Sequence, residues 1–205
     1  MTTADERVQN AEAARPFQLL TVASSAGGVR ALAQLLAGLP ADFPVPVVIV
    51  QHLDPRHQTV IAEVLGRHSE MPVKLAEHEE KAKPGTVYVA PPNRHLFIGA
   101  DSVLTLADGE LVHFVRPSAD LLFEAAAGAY GASTIGCVLT GSGGDGAMGV
   151  RAIKARGGTV IVEDPDLAEF RGMPDAAVGA AAVDFVLPLS DIASVVRRLV
   201  QAGRP

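Results

Sequence analysis

Three residues in this chain have side chains and settings suited to acyl transfer: Ser25, His52 and Asp145. A serine hydroxyl is a poor nucleophile at neutral pH. It needs a base within hydrogen-bond reach, and the base needs a group that orients it. Ser25 lies in LTVASSAGG (20–28), where an apolar run meets a serine pair and then a glycine pair. His52 follows the β-branched run PVVIVQ (46–51). Asp145 lies in TGSGGDG (140–146), directly after the apolar run 134–139. Each candidate therefore sits where a strand ends. In a parallel sheet all strands end on one edge, so residues distant in sequence can converge there.

The elements that must position them follow from periodicity. Residues 17–23 form a near-continuous apolar run, the pattern of a strand buried on both faces. Val29, Leu32, Leu36 and Leu39 recur at helical spacing and predict a helix over 28–39, ending near Gly38 and Pro40. With the strand at 46–51 this makes a right-handed βαβ unit. A helix at 58–66, a short strand at 71–75 and a charged, solvated connection at 77–83 come next. The close-set runs 86–90, 94–98 and 102–106 are separated by turn residues and predict hairpins.

Ser118 as N-cap and Asp120 in the first turn predict a helix over 119–129. A strand at 134–139, a helix at 147–155, a strand at 159–162 and a last strand within 181–187 follow. Ser190 caps a final helix with Ile192, Val195, Val196 and Leu199 on one face. The predicted fold class is α/β: doubly wound, three-layer α/β/α, with a mostly parallel sheet and a small antiparallel hairpin excursion near residues 86–106. Residues 1–16, polar and alanine-rich, read as a flexible lead-in, and 17–203 as one domain.

Composition narrows the function classes. The chain has 205 residues, 48% of them hydrophobic, enough for a sizeable core. The formal net charge of -6, with no basic stripe, argues against a nucleic-acid surface. No apolar run approaches the ~20 residues of a membrane span, and the first sixteen lack a signal peptide's apolar centre. The single cysteine, Cys137, lies in an apolar strand and reads as buried. A cytoplasmic protein is expected.

The glycines at both bends would let backbone amides approach a ligand. The amides of Ser142, Gly143 and Ala26 are the candidate oxyanion donors. Plainer readings fit the same residues. Serine and glycine at a strand–helix bend often make only a turn and an N-cap. The GSGGDG loop could hold phosphate through its amides, although neither bend has the lysine of a P-loop. His52 could be a satisfied strand-end histidine. His57, His68 and His78 fall in polar surroundings and His95 and His113 in the hairpin region. No spacing of His, Cys, Asp and Glu resembles a metal site.

Read together, several segments point one way. ASSAGG (23–28) resembles a G-A-S-[TA]-G-G nucleophile turn. Val50-Gln51-His52-Leu53 looks like a Q-H-[ML] segment, and LTGSGGDGA (139–147) is similar to L-T-G-M-G-x-D-G-A. YVAP (88–91), RPSADLLF (116–123) and GMP (172–174) add support. Six such segments in this order resemble the chemotaxis-receptor methylesterases, the CheB-type catalytic domain, over about 17–200.

The resemblance implies hydrolysis of glutamate γ-methyl esters on receptor signalling helices, with methanol released, and deamidation of receptor glutamines. It makes Ser25 the nucleophile, His52 the general base and then acid, and Asp145 the residue orienting His52. It requires no metal or organic cofactor. The implied partner is a methylated chemoreceptor's cytoplasmic helices or a related signalling protein, without nucleic acid or membrane insertion.

Ser24 is a competing nucleophile, but it stands at the alanine of the resembled turn. Ala23 replaces the turn's first glycine, and Ser142 replaces the methionine of the aspartate loop. Arg116 has two readings, a contact to the substrate's acidic surroundings or an anchor for its own loop. The best-known members carry a receiver domain, and sixteen residues cannot fold as one. The expectation is a stand-alone catalytic domain or an excised fragment. The competing functions are a small-ester hydrolase on the same scaffold and a non-enzymatic adaptor that binds receptors or kinases.

Overall fold

A computed structural model describes residues 17–54, 56 and 58–202. The expected lead-in, 1–16, and His57 lie outside the described residues. The elements in chain order are β1 (Leu19–Ser24), α1 (Gly28–Ala37), β2 (Val47–Gln51), α2 (Ile61–Gly66), β3 (Val73–Leu75), β4 (Glu80–Lys81) and β5 (Val87–Val89). Then come β6 (His95–Ile98), β7 (Val103–Ala107), α3 (Ala119–Tyr130), β8 (Thr134–Val138), α4 (Ala147–Ala155), β9 (Thr159–Glu163), α5 (Gly172–Gly179), β10 (Phe185–Leu187) and α6 (Leu189–Ala202).

Seven strands form one sheet in the order β10-β9-β8-β1-β2-β5-β3, and every pair is parallel. Because strand side chains alternate, each central strand feeds two cores. Leu20, Val22, Val47, Ile49, Ile135, Cys137 and Ile161 point to the layer holding Leu32, Leu36, Ile192, Val196 and Leu199 of α1 and α6. Leu19, Ala23, Val48, Val50, Val138, Val160 and Val162 point to the layer of α3, α4 and α5. Burying a side chain such as Leu or Ile contributes about 1.5–3 kcal/mol, which ties the helices to a sheet apolar on both faces. The three-layer α/β/α expectation holds. Cys137 is fully buried, and burial pushes its thiol pKa up.

The strand order reverses between β1 and β8. From β1 the chain winds outward through β2; from β8 it winds the other way through β9 and β10. In open α/β sheets, ligands bind at the carboxyl ends of the strands at such a reversal. The loops starting at Ser25 and Thr140 leave the sheet there.

Three expectations are corrected. The run 86–90 is not part of a hairpin: β5 pairs in parallel with β2 and β3. Its length and β-branched residues show a strand but not its neighbour. The antiparallel excursion is β6 and β7, joined by β4 from within the stretch read as solvated connection. Ser190 is not a cap, because α6 already starts at Leu189. Val29, whose spacing with Leu32, Leu36 and Leu39 marks α1, is exposed beside the site. The helix α5, which carries Met173 and Pro174, had no assignment from periodicity.

Candidate active site

The Ser25 bend is held by backbone contacts to its neighbours. β1 and β2 pair Ser24 opposite Gln51, and the His52 amide donates to the Ser24 carbonyl at 3.1 Å. The Ser25 amide donates to the Thr140 carbonyl at 3.0 Å. All three strand ends with candidate residues therefore meet at one place. Gly28 leaves room for the packing beneath the bend, since a Cβ there would lie 2.1 Å from Gln51 Oε1. Gly141 does the same on the other side, where a Cβ would lie 2.3 Å from Met173 Sδ and 2.9 Å from Ser25 Cβ.

His52 and Asp145 are in direct contact, with Nε2 2.9 Å from Oδ2. An ionised carboxylate only accepts, so Nε2 carries the hydrogen. Nδ1 is then the ring nitrogen left to accept a proton.

Asp145 is 4% exposed and would be costly to ionise without partners. Besides His52 it accepts from the Ser118 hydroxyl at 2.8 Å and from the amides of Ala119 at 2.6 Å and Asp120 at 3.2 Å. Burial alone would raise its pKa. The hydrogen bonds from His52, Ala119, Asp120 and Ser118 outweigh burial and hold it below the usual carboxylate range. The helix that supplies the amides is α3, not the α4 that follows Asp145 in sequence. Asp145 takes two of the four amides that α3 leaves unpaired at its start, and Ser118, the N-cap, also accepts from Leu121.

Behind Ser118 lies a residue that sequence reasoning left in the hairpin. His95 is buried; its Nδ1 accepts from the Ser118 amide at 3.1 Å, and its Nε2 donates to the Glu110 carbonyl at 2.8 Å.

Ser25 is half-buried, and its Oγ makes no hydrogen bond among the described residues. Catalytic hydrogen bonds are often loose until substrate arrives. Ser24 is 0% exposed and donates to Gln51 Oε1 at 2.7 Å, which removes it as a competing nucleophile. The amides of Ala26 and Gly27, at the uncapped start of α1, donate to no protein acceptor among the described residues. The exposed Ser142 and Gly143 amides are likewise uncommitted. Ala26 follows the serine directly, and Ser142 and Gly143 follow Gly141, where a Cβ would lie 2.9 Å from Ser25 Cβ, so these free amides belong to the two loops that meet at the serine. The Arg116 guanidinium donates to Asn93 Oδ1 at 3.1 and 2.7 Å and to the Gly109 carbonyl. That geometry fits its reading as an anchor for its own loop.

Two further residues were missed. Thr140 joins three loops, its hydroxyl donating to the Ala26 carbonyl at 3.1 Å and accepting from the Phe170 amide at 2.8 Å. Its own amide donates to the buried Glu163 carboxylate at 2.7 Å. Burial raises the Glu163 pKa, opposed by that amide and by Arg30. No residue-type pattern signals these contacts beyond the placement of both side chains at strand ends. No group of three His, Cys, Asp or Glu side chains among the described residues is arranged to hold a metal.

The region beside His52 is an open groove of about 280 Å³, lined by Val29, Leu53, Val60, Ile61 and Val64 with polar Asp54, Gln58 and Thr59. Val60 is 58% exposed. On the other side, Leu167 and Phe170 are exposed in the loop after β9, and the Phe170 ring packs against Gly27.

Comparison with known proteins identifies the family. Residues 20–196 match the family model described as CheB methylesterase. A Leptospira interrogans relative is 43% identical over 185 residues, covering 90% of this chain and 96% of that protein. An Archaeoglobus fulgidus relative, named protein-glutamate methylesterase/protein-glutamine glutaminase, is 40% identical over 88% of this chain but only 52% of its own length. The chain thus spans about half of that longer relative. The crystal structure of the Thermotoga maritima CheB methylesterase catalytic domain superposes with a TM-score of 0.84 at 37% identity, covering 90% of this chain and 98% of that one. With the family model matching most of its length and a solved relative sharing its fold, the chain belongs to the CheB methylesterase family.

Proposed function

We propose that this chain is a protein-glutamate methylesterase that hydrolyses glutamate γ-methyl esters on a chemoreceptor or related signalling protein. The observation that carries the reading is the 2.9 Å contact of His52 Nε2 with a charged, buried Asp145 at the strand end next to Ser25. Ser25 Oγ attacks the ester carbonyl and His52 Nδ1 takes its proton. Asp145 stabilises the imidazolium that forms. The tetrahedral oxyanion is met by the Ala26 amide with the Ser142 or Gly143 amide. His52 then protonates the departing methoxide, and methanol leaves. A water activated by His52 attacks the acyl-enzyme; the Ser25 Oγ–acyl bond breaks, the receptor's glutamate side chain leaves as its carboxylate, and the Ser25 hydroxyl is restored. With a glutamine in place of the ester, the same steps release ammonia.

The open, partly apolar surroundings favour a protein surface as substrate over a small ester in a closed pocket. The experiment is methanol release from a methylated receptor cytoplasmic fragment. Release is lost in Ser25→Ala and strongly reduced in His52→Gln. Full activity in Ser25→Ala overturns the mechanism; binding without turnover or phosphonate labelling in the wild type favours the adaptor.

A further inference from the structure

Between the proposed nucleophile and its base lies a side chain that the reaction does not itself use. Gln51 ends β2, is 2% exposed, and stands opposite Ser24 in the sheet. Its Nε2 donates to the carbonyls of Ser25 and His52, both at 2.8 Å. Its Oε1 accepts from Ser24 Oγ at 2.7 Å. Both amide hydrogens and the amide oxygen are therefore engaged.

We propose that Gln51 is a positioning residue that fixes Ser25 and His52 relative to each other, and that the Ser24 hydroxyl completes it by satisfying its buried oxygen. This rests on the reading of Ser25 and His52 as nucleophile and base. Both residues lie where the chain leaves the sheet, so ladder bonds no longer hold their carbonyls; besides Gln51, the Ser25 carbonyl accepts from the Gly28 amide at 2.9 Å, a bond within its own turn that does not reach His52. Fixing a residue's carbonyl fixes its ψ. One amide that grips both carbonyls ties the two backbones together at the point from which Oγ and the imidazole project. The two carbonyls also choose the amide's orientation, because a flipped amide would turn its oxygen toward both of them.

The orientation leaves Oε1 buried against Gly28, where no side chain could fit, and facing the Ser24 hydroxyl. Ser24 occupies a position that is alanine in the motif the chain resembles. Its hydroxyl therefore has a task other than nucleophilic attack. Displacing reacting groups by about 1 Å costs on the order of 100-fold in rate. Losing the clamp acts on turnover, while substrate affinity, set at the surface, is spared.

The test compares wild type, Gln51→Met, Ser24→Ala and the double variant. It measures kcat and KM for methanol release from a methylated receptor fragment and the rate of labelling by a small fluorophosphonate. Circular dichroism monitors folding. Gln51→Met is expected to lower kcat and labelling by about 10- to 100-fold with KM within about twofold. Ser24→Ala is expected to lower both by about 3- to 10-fold. The double variant is expected to match Gln51→Met, because Ser24 acts only through Gln51.

A folded Gln51→Met with kcat and labelling within twofold of wild type overturns the proposal. So does a double variant whose loss is the product of the two single losses. If Gln51→Met does not fold, Ser24→Ala decides: an unchanged kcat overturns the clamp. Turnover that survives in Ser25→Ala would instead remove the mechanism on which the proposal rests.

Discussion

His52 Nε2 sits 2.9 Å from Asp145 Oδ2, and this contact sets which ring nitrogen faces the chemistry. Asp145 is itself fixed by Ser118, Ala119 and Asp120, so the imidazole's orientation is set by the start of α3. Asp145→Asn keeps the shape and loses the charge. Its side-chain amide would also face the α3 amides, donor against donor. A kcat loss of about 100- to 10,000-fold is expected, with a stability loss of about 1–3 kcal/mol from unsatisfied amides. Methanol-release kinetics and urea unfolding check the two.

Ser118→Ala removes a hydrogen bond to Asp145 and the N-cap of α3 together. A stability loss of about 0.5–2 kcal/mol is expected from the cap, with a several-fold fall in kcat. Ser118→Thr keeps the hydroxyl and is expected to recover most of both. Urea unfolding and steady-state kinetics of the pair provide the check.

The carboxyls of Asp145 and Asp120 are pushed in opposite directions. Asp120 is raised by burial; the Gly149 amide opposes this, Asp145 adds repulsion, and His113, 3.3 Å from Oδ2, opposes it again. Asp145 is lowered, since its hydrogen bonds outweigh burial. An unfolded aspartate titrates at about 3.9. Asp145 thus adds stability above about pH 4 that is lost as pH falls through its lower native value. Asp120 subtracts stability above its raised native value, and that penalty disappears as pH falls toward about 4. Asp120→Asn is therefore expected to be more stable than wild type at pH 8, with the gap closing near pH 4. Asp145→Asn is expected to be less stable at pH 8, with its gap closing only below pH 4. Urea unfolding at pH 3, 4, 6 and 8 separates the two.

Much of this was legible in the sequence. An apolar run ending in Ser-Ser-Ala-Gly-Gly, another ending in Gln-His and a third ending in Thr-Gly mark three strand ends, and parallel topology carries them to one edge. The clamp by Gln51, the junction at Thr140 and the support of Ser118 by His95 were not legible. Each is a side-chain hydrogen bond between segments far apart in sequence, and residue spacing carries no sign of it. The helix that receives Asp145 is likewise not its neighbour in sequence, α4, but α3, through the amides of Ala119 and Asp120. β5 was assigned to a hairpin because three residues define a strand without defining its neighbour.

The apolar rim separates two substrate classes. Val60→Glu places a charge in the groove beside His52 without touching Ser25, Asp145 or Gln51. KM for a methylated receptor fragment is expected to rise several-fold, while fluorophosphonate labelling stays within about twofold. Equal KM values would favour a small-ester substrate.

The most direct test of the central claim is to map the fluorophosphonate adduct by mass spectrometry of the digested protein. The account predicts a single adduct on Ser25, absent in Ser25→Ala and formed far more slowly in His52→Gln. An adduct on Ser24, or equal labelling of Ser25→Ala, would contradict it.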